Sequence, residues 1–204
     1  MRKIQLVLVA LIVLILSAFK ADHVITIYMI GDSTMSNKPL EGNNQERGWG
    51  HVLGSFFTED VRVENHAMNG RSSKSFIDEG RWETVVNKIR PGDYVFIQFG
   101  HNDEKPQPER HTDPGTTFDE NLRKFVRETR AKGGIPVLFN SIVRRNFGVN
   151  PDAVAADDIR PEKDEAVVEG DTLIDTHGKY LESPRNVAKE MDVCFIDLNQ
   201  ATKK

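Results

Sequence analysis

Ser33 lies in Gly31-Asp32-Ser33-Thr34-Met35, directly after the apolar, β-branched run 24–30. Such a run reads as a buried strand that stops at Gly31. A serine just past the carboxyl end of a buried strand is placed for chemistry, because open α/β sheets bind ligands in the crevice outside those ends. The three polar residues equally suit a plain turn or a helix cap. A serine hydroxyl is a weak nucleophile and needs a base, usually histidine. Acyl transfer also needs donors aimed at the developing oxyanion. Two later segments carry such donors. Gly70, in Asn69-Gly70-Arg71-Ser72-Ser73, has no side chain to keep its backbone N–H from a ligand. Asn102, in Gly100-His101-Asn102-Asp103, offers a side-chain NH₂. With the N–H of Ser33 they form a set of three donors. Taken singly, Asn69-Gly70 is an ordinary turn dipeptide and Asn102-Asp103 an ordinary cap.

What would bring the three together is a parallel sheet. Further apolar runs at 61–63, 93–99, 135–142 and 193–197 read as strands. Between them, 48–57 reads as a helix with Trp49, Val52, Leu53, Phe56 and Phe57 on one stripe. Segments 81–89 and 184–191 also read as helices. Another opens at Thr117, with Glu120 completing a capping-box pattern, and closes at Gly133-Gly134. The segment 143–176 is polar and acidic, consistent with surface loops or a small insertion. Alternating strands and helices imply parallel strands, right-handed crossovers and helices on both faces. The fold class is therefore α/β, a three-layer α/β/α arrangement on a five-stranded parallel sheet. Ser33, Gly70 and Asn102 then converge at one sheet edge.

At Gly31-Asp32-Ser33, Gly70 and Gly100-His101-Asn102-Asp103 the sequence resembles the SGNH/GDSL hydrolases, a flavodoxin-like α/β/α family. Those blocks, with Arg47-Gly48-Trp49-Gly50, Gln98-Phe99 and Asp175-Thr176-His177-Gly178, resemble the rhamnogalacturonan acetylesterase branch across most of 24–199. The resemblance implies removal of acetyl groups from a plant cell-wall polysaccharide. It makes Ser33 the nucleophile and Gly70 and Asn102 oxyanion donors. It implies no metal and no organic cofactor. The family's base is a histidine in an Asp-x-x-His block after the fifth strand. No such block follows Asp197, so the domain, 22–204, is expected to be truncated and weak or inactive by itself.

Six histidines are present. His177, two residues after Asp175, is the one alternative base, although its spacing differs from the family block. A substrate-loop or helix-start role competes with it. His101 suits a site wall or a structural role, His51 and His66 packing or capping, and His111 a solvated loop. His23 borders the amino-terminal run. The acidic residues Asp157, Asp158, Asp164, Glu165, Glu169 and Asp171 fit no calcium-loop spacing and read as a solvated face rather than a metal site or substrate rim.

The chain has 204 residues and a net charge of -4, a length that suits one domain and a charge that argues against nucleic acid as a partner. Met1-Arg2-Lys3 followed by the apolar run 4–18 resembles a secretory leader, taken as 1–21, with an uncleaved anchor as the competing reading. The expected location is secreted or periplasmic, with no membrane contact after cleavage. The single cysteine, Cys194, lies in an apolar run and is expected in the core. Two other functions remain open: an ester hydrolase of different specificity (acetylxylan or acyl lipid), and a catalytically dead carbohydrate-binding protein on the same fold.

Overall fold

The computed structural model describes residues 24–144, 146–148, 172–174 and 176–203. The leader expected at 1–21, His23, Asp175 and the acidic residues from Asp157 to Asp171 lie outside the described residues.

Five parallel strands make the sheet: β1 (Ile25–Gly31), β2 (Val61–Asn65), β3 (Tyr94–Gln98), β4 (Ile135–Phe139) and β7 (Cys194–Ile196). Their order is β2-β1-β3-β4-β7. The chain therefore steps from β1 to β2 on one side and then to β3 on the other. That reversal is the topological switch point, where a crevice opens at the carboxyl ends of the strands. A separate antiparallel pair, β5 (Asn146–Gly148) and β6 (Thr172–Ile174), lies within the segment read from sequence as loops or an insertion.

Four helices pack on one face: α1 (Ser73–Asp78), α2 (Arg81–Val86), α3 (Thr117–Ala131) and α4 (Glu182–Met191). A short α5 (Leu198–Thr202) follows β7. Phe118, Leu122, Phe125 and Val126 recur on one stripe of α3 and are buried against Ile97, Phe99 and Leu138 of the sheet side. Each such side chain contributes about 1.5–3 kcal/mol by leaving water. The second face carries Ile27, Met29, Met35 and Ala67, with Trp49 and Leu53 packed on them.

Three expectations are corrected. First, 48–57 is two 3-10 turns, Trp49–His51 and Leu53–Phe56, not an α-helix. Phe56 is 78% exposed, and Val52 and Phe57 also face solvent, so the stripe does not exist. The cause is close approach. An added Cβ at Gly48 would lie 2.1 Å from the Ser36 carbonyl, and one at Gly50 2.5 Å from that of Met35. These contacts fix the backbone by tertiary packing rather than by helix periodicity. Second, α3 has no capping box; Thr116 is its N-cap and makes no side-chain cap. Thr117 Oγ1 instead accepts from Asp113 N at 2.7 Å, and Asp119 Oδ1 from Gly115 N at 2.8 Å. Third, Cys194 is exposed rather than in the core. β7 is an edge strand whose Phe195 packs on the helical face, while Cys194 and Ile196 alternate to the other. The fold class is as expected, a five-stranded parallel sheet with flanking helices; the four helices named above pack on one face, and among the described residues the 3-10 turns lie on the other.

Gly31 ends β1 where nothing larger fits. A methyl there would lie 2.6 Å from the Gln98 carbonyl and 2.9 Å from Met35 Sδ. Gly31→Ala is expected to destabilise the fold by about 1–3 kcal/mol, the usual range for overpacking. Urea denaturation measures it, and a midpoint unchanged from the parent would refute the close approach.

Candidate active site

The turn after β1 is held from beneath. Met35 N and Ser36 N both donate to the Asp32 carbonyl. Thr34 N and Thr34 Oγ1 donate to Asp32 Oδ1 at 2.9 and 2.8 Å. Thr34 Oγ1 in turn accepts from Gln98 Nε2 at 2.8 Å, and Gln98 Oε1 accepts from Trp49 Nε1 at 2.8 Å. Gln98 is the last residue of β3 and is fully buried. It therefore ties the Ser33 turn to the neighbouring strand. Asp32 is also fully buried, and burial raises its carboxyl above the ordinary range against the two Thr34 hydrogen bonds. Asp32 Oδ2 has no hydrogen-bond partner among the described residues.

The second turn reaches the first through Met68 N, which donates to the Gly31 carbonyl at 3.0 Å. Ser36 Oγ donates to Asn69 Oδ1 at 2.6 Å. Gly70 has φ +75, a conformation that favours glycine, and an added Cβ would meet nothing within 4 Å. The side of the turn facing that position is open. The third turn joins them through Asn102 Nδ2, which donates to the Arg71 carbonyl at 3.1 Å. Asn102 is buried, and one N–H of its amide remains after that bond. The structure thus brings the turns of Ser33, Gly70 and Asn102 together at the switch point. Ser33 itself is half-buried.

Asp103 anchors the third turn, a role the sequence did not disclose. Its carboxylate accepts from Ser73 N at 3.0 Å, Ser73 Oγ at 2.5 Å, Gly100 N at 3.1 Å and Thr112 Oγ1 at 2.9 Å. Burial pushes it up to about 7 against those donors. Tyr180 OH donates to the Thr112 carbonyl beside it.

His177 is fully buried and already engaged. Nδ1 meets Glu104 Oε2 at 3.2 Å and Nε2 meets the Ile142 carbonyl at 3.0 Å. His101 packs edge-on against its ring, with centroids 4.4 Å apart. Arg144 bonds Glu104 Oε1 and donates to the His101 carbonyl at 3.1 Å. The cluster stitches the exit of β4 to the exit of β3. Of the other described histidines, His51 Nδ1 accepts from Lys38 N, His66 faces Glu64, and His111 contacts the Lys105 carbonyl. None of these contacts is to Ser33.

Burial, with His177 and Arg144 nearby, pushes His101 down to about 3, so the fold holds it neutral. A depressed histidine contributes stability that is present above its ordinary 6.5 and drains as pH falls toward 3. Asp103 acts oppositely: its contribution is present below the ordinary 3.8 and lost as pH rises through about 7. The two slopes offset each other over much of the acid range. The stability difference between the parent and His101→Gln should therefore grow with pH from about 3 to 6.5, at up to ~1.4 kcal/mol per unit, then flatten. Unfolding free energies of both proteins against pH test this, and a difference constant with pH would overturn it.

Residues 29–204 match the GDSL-like lipase/acylhydrolase family. Over 179 residues the chain is 38% identical to the rhamnogalacturonan acetylesterase RhgT of Bacillus subtilis (strain 168), covering 88% of this chain and 67% of that one. It is 40% identical over 128 residues to the probable rhamnogalacturonan acetylesterase YesY of the same organism, covering 62% of this chain and 57% of the relative. Among solved structures, the protein YxiM of Bacillus subtilis superposes with a TM-score of 0.66 at 26% identity, over 86% of this chain and 44% of that one.

Proposed function

The chain belongs to the GDSL-like lipase/acylhydrolase family, and from that premise we propose that it is a serine esterase that removes acetyl groups from rhamnogalacturonan. The observation that carries the reading is the convergence of the Ser33, Gly70 and Asn102 turns at the switch point. A binding protein has no need of a serine beside free backbone and amide donors. The relatives named rhamnogalacturonan acetylesterase support the substrate. Export, proposed from the amino-terminal run 1–21, would put the protein where plant polysaccharide is met.

In this reading Ser33 Oγ attacks the acetyl carbonyl carbon and gives up its proton to a general base. The carbonyl oxygen becomes an oxyanion, held by Ser33 N–H, Gly70 N–H and the Asn102 amide. Collapse expels the sugar, whose oxygen takes that proton back from the base, and leaves acetyl-Ser33. Water then adds to that ester and releases acetate. Asp32, Thr34, Gln98 and Trp49 hold the nucleophile's turn, and Asp103 holds the turn of Asn102. The contacts of both His177 ring nitrogens with Glu104 and the Ile142 carbonyl argue against it as the base.

One observation favours a second reading, a carbohydrate-binding protein on the same fold: no described histidine hydrogen-bonds Ser33. Labelling by a fluorophosphonate separates the two. Modification at Ser33, together with acetate release from acetylated rhamnogalacturonan in preference to fatty acid release from long-chain esters, upholds the esterase. Sugar binding without labelling or turnover upholds the binding protein.

A further inference from the structure

The Gly70 turn has two possible orientations of its donor. Arg71 N donates to the Met68 carbonyl at 3.3 Å, which closes 68–71 into a β-turn. Gly70, the third residue of that turn, has φ +75, and φ is not positive at Asn69. This is the signature of a type II turn. Types I and II differ chiefly by a half-rotation of the central peptide plane, here the Asn69–Gly70 peptide. Glycine at the third position accommodates either form. The peptide in question carries the Gly70 N–H, which has no acceptor among the described residues.

A guanidinium selects between the two. A trans peptide is planar, so its C=O and N–H point in opposite directions. Arg71 Nη1 donates to the Asn69 carbonyl at 3.0 Å. Holding the carbonyl on that side aims the Gly70 N–H to the other. The guanidinium is anchored in turn, its Nε donating to both carboxylate oxygens of Glu79 at 3.1 Å. Hydrogen bonds from Arg81 and Arg71 keep the Glu79 carboxyl below its ordinary range, so it stays charged. The Asn69 side chain is tied separately: its Oδ1 accepts from Ser36 Oγ and from the buried Lys38 Nζ, both at 2.6 Å. Those ties fix the side chain, whereas Arg71 acts on the peptide plane. The backbone of Arg71 also serves the third turn, since its carbonyl accepts from Asn102 Nδ2 at 3.1 Å. Arg71 thus contacts the groups that carry both proposed oxyanion donors outside the Ser33 turn.

We propose that Arg71 is a positioning residue of the oxyanion site, gripping the Asn69–Gly70 peptide by its carbonyl so that the Gly70 N–H faces the reacting oxygen. The inference rests on the esterase reading and deepens it. The cation has two effects. It holds the peptide in the type II orientation. It also polarises that peptide, because hydrogen bonds in a chain strengthen one another and a charge on the carbonyl makes the N–H a better donor. Both effects grow as negative charge develops on the substrate oxygen, so they favour the transition state over the bound ester. Arg71 touches no reacting atom in this account; the chemistry stays with Ser33.

The test is steady-state hydrolysis of p-nitrophenyl acetate by the full chain, alongside the nitrogen resonance of the Gly70 amide. Outright loss of an oxyanion donor costs about 10²–10³ in kcat, so misaiming one through Arg71→Met should lower kcat about tenfold or more. KM should not change. Arg71→Lys, which keeps a cation, should recover part of the loss. The Gly70 nitrogen should move upfield in Arg71→Met, because the carbonyl of the same peptide loses its hydrogen bond. A merely structural Arg71 would lower the melting temperature and leave Arg71→Lys no more active than Arg71→Met. An unchanged kcat in Arg71→Met, a loss carried by KM, or an unmoved Gly70 resonance would each overturn the proposal. Should Arg71→Met not fold, Arg71→Gln, which removes the charge and keeps an N–H donor, is read in the same way. A parent that neither hydrolyses the ester nor is labelled by a fluorophosphonate overturns the esterase reading and this inference with it. An active, labelled parent whose kcat survives Arg71→Met overturns the role of Arg71 alone.

Discussion

Ser33→Ala is expected to lower acetate release at least ~10⁴-fold while leaving the stability of the protein unchanged, since loss of a covalent nucleophile alone costs that order in kcat. The two halves of this expectation have one structural source. No hydrogen bond is made by the Ser33 hydroxyl among the described residues, so removing it strands no partner. The turn is held instead by Asp32, Thr34 and the Ser36 hydroxyl, which bonds the Ser33 carbonyl at 3.3 Å. Ser33 is half-buried at a strand end, and deleting one oxygen there leaves no cavity. Such a change is usually within about ±0.5 kcal/mol. The measurement is kcat on acetylated rhamnogalacturonan alongside thermal unfolding. Activity within tenfold of the parent, about 1.4 kcal/mol of barrier, would remove Ser33 from the chemistry.

Asp103→Ala should behave in the opposite way, with a loss of about 3–5 kcal/mol in stability, because several buried donors lose their common acceptor. Its carboxylate is the common acceptor for Ser73 at the start of α1, Gly100 at the end of β3, and Thr112 in the loop beyond. Alanine would leave those donors buried and unsatisfied, each at about 1–3 kcal/mol before relaxation. Activity should fall as well, because Asn102 is the residue between Gly100-His101 and Asp103 and loses its fixed position. Urea denaturation gives the stability and kcat the second effect. A cost below about 1 kcal/mol would show that other contacts hold the turn, since an ordinary single hydrogen bond is worth that much. The pair of substitutions separates residues that react from residues that hold them, because one variant stays folded and inactive while the other loses both.

The turns of Ser33 and Asn102 were legible because each follows a buried parallel strand, while that of Gly70 follows the partly exposed strand β2. A strand covered on both faces writes a continuous apolar run, and the run at 24–30 ends at Gly31 in both sequence and structure. The same holds for the runs that became β3 and β4. Amphipathic α3 was legible for the parallel reason, a stripe at helical spacing. Parallel pairing followed from alternation, and with it the convergence of Ser33, Gly70 and Asn102; the strand order came from the structure.

What escaped the sequence is polar or charged and buried. Nothing local distinguishes Asp103 from a cap, Lys38 from a surface lysine, or His177 from a base. Asp103 draws its partners from 30 residues before it and 9 after. Lys38 is matched with Asn69 across 31 residues, and His177 with Glu104 across 73. The fate of an ionisable side chain is set by its desolvation and by the counter-groups other segments bring to it, neither of which is encoded in its neighbours along the chain. The false helix at 48–57 and the exposure of Cys194 have related causes: close backbone approach at Gly48 and Gly50, and a place at the sheet edge. Hydrophobic periodicity thus determined the scaffold and the convergence of the three turns. Only the tertiary structure decided which polar groups are buried within it, because burial of a charge is a property of the whole packed surface around it.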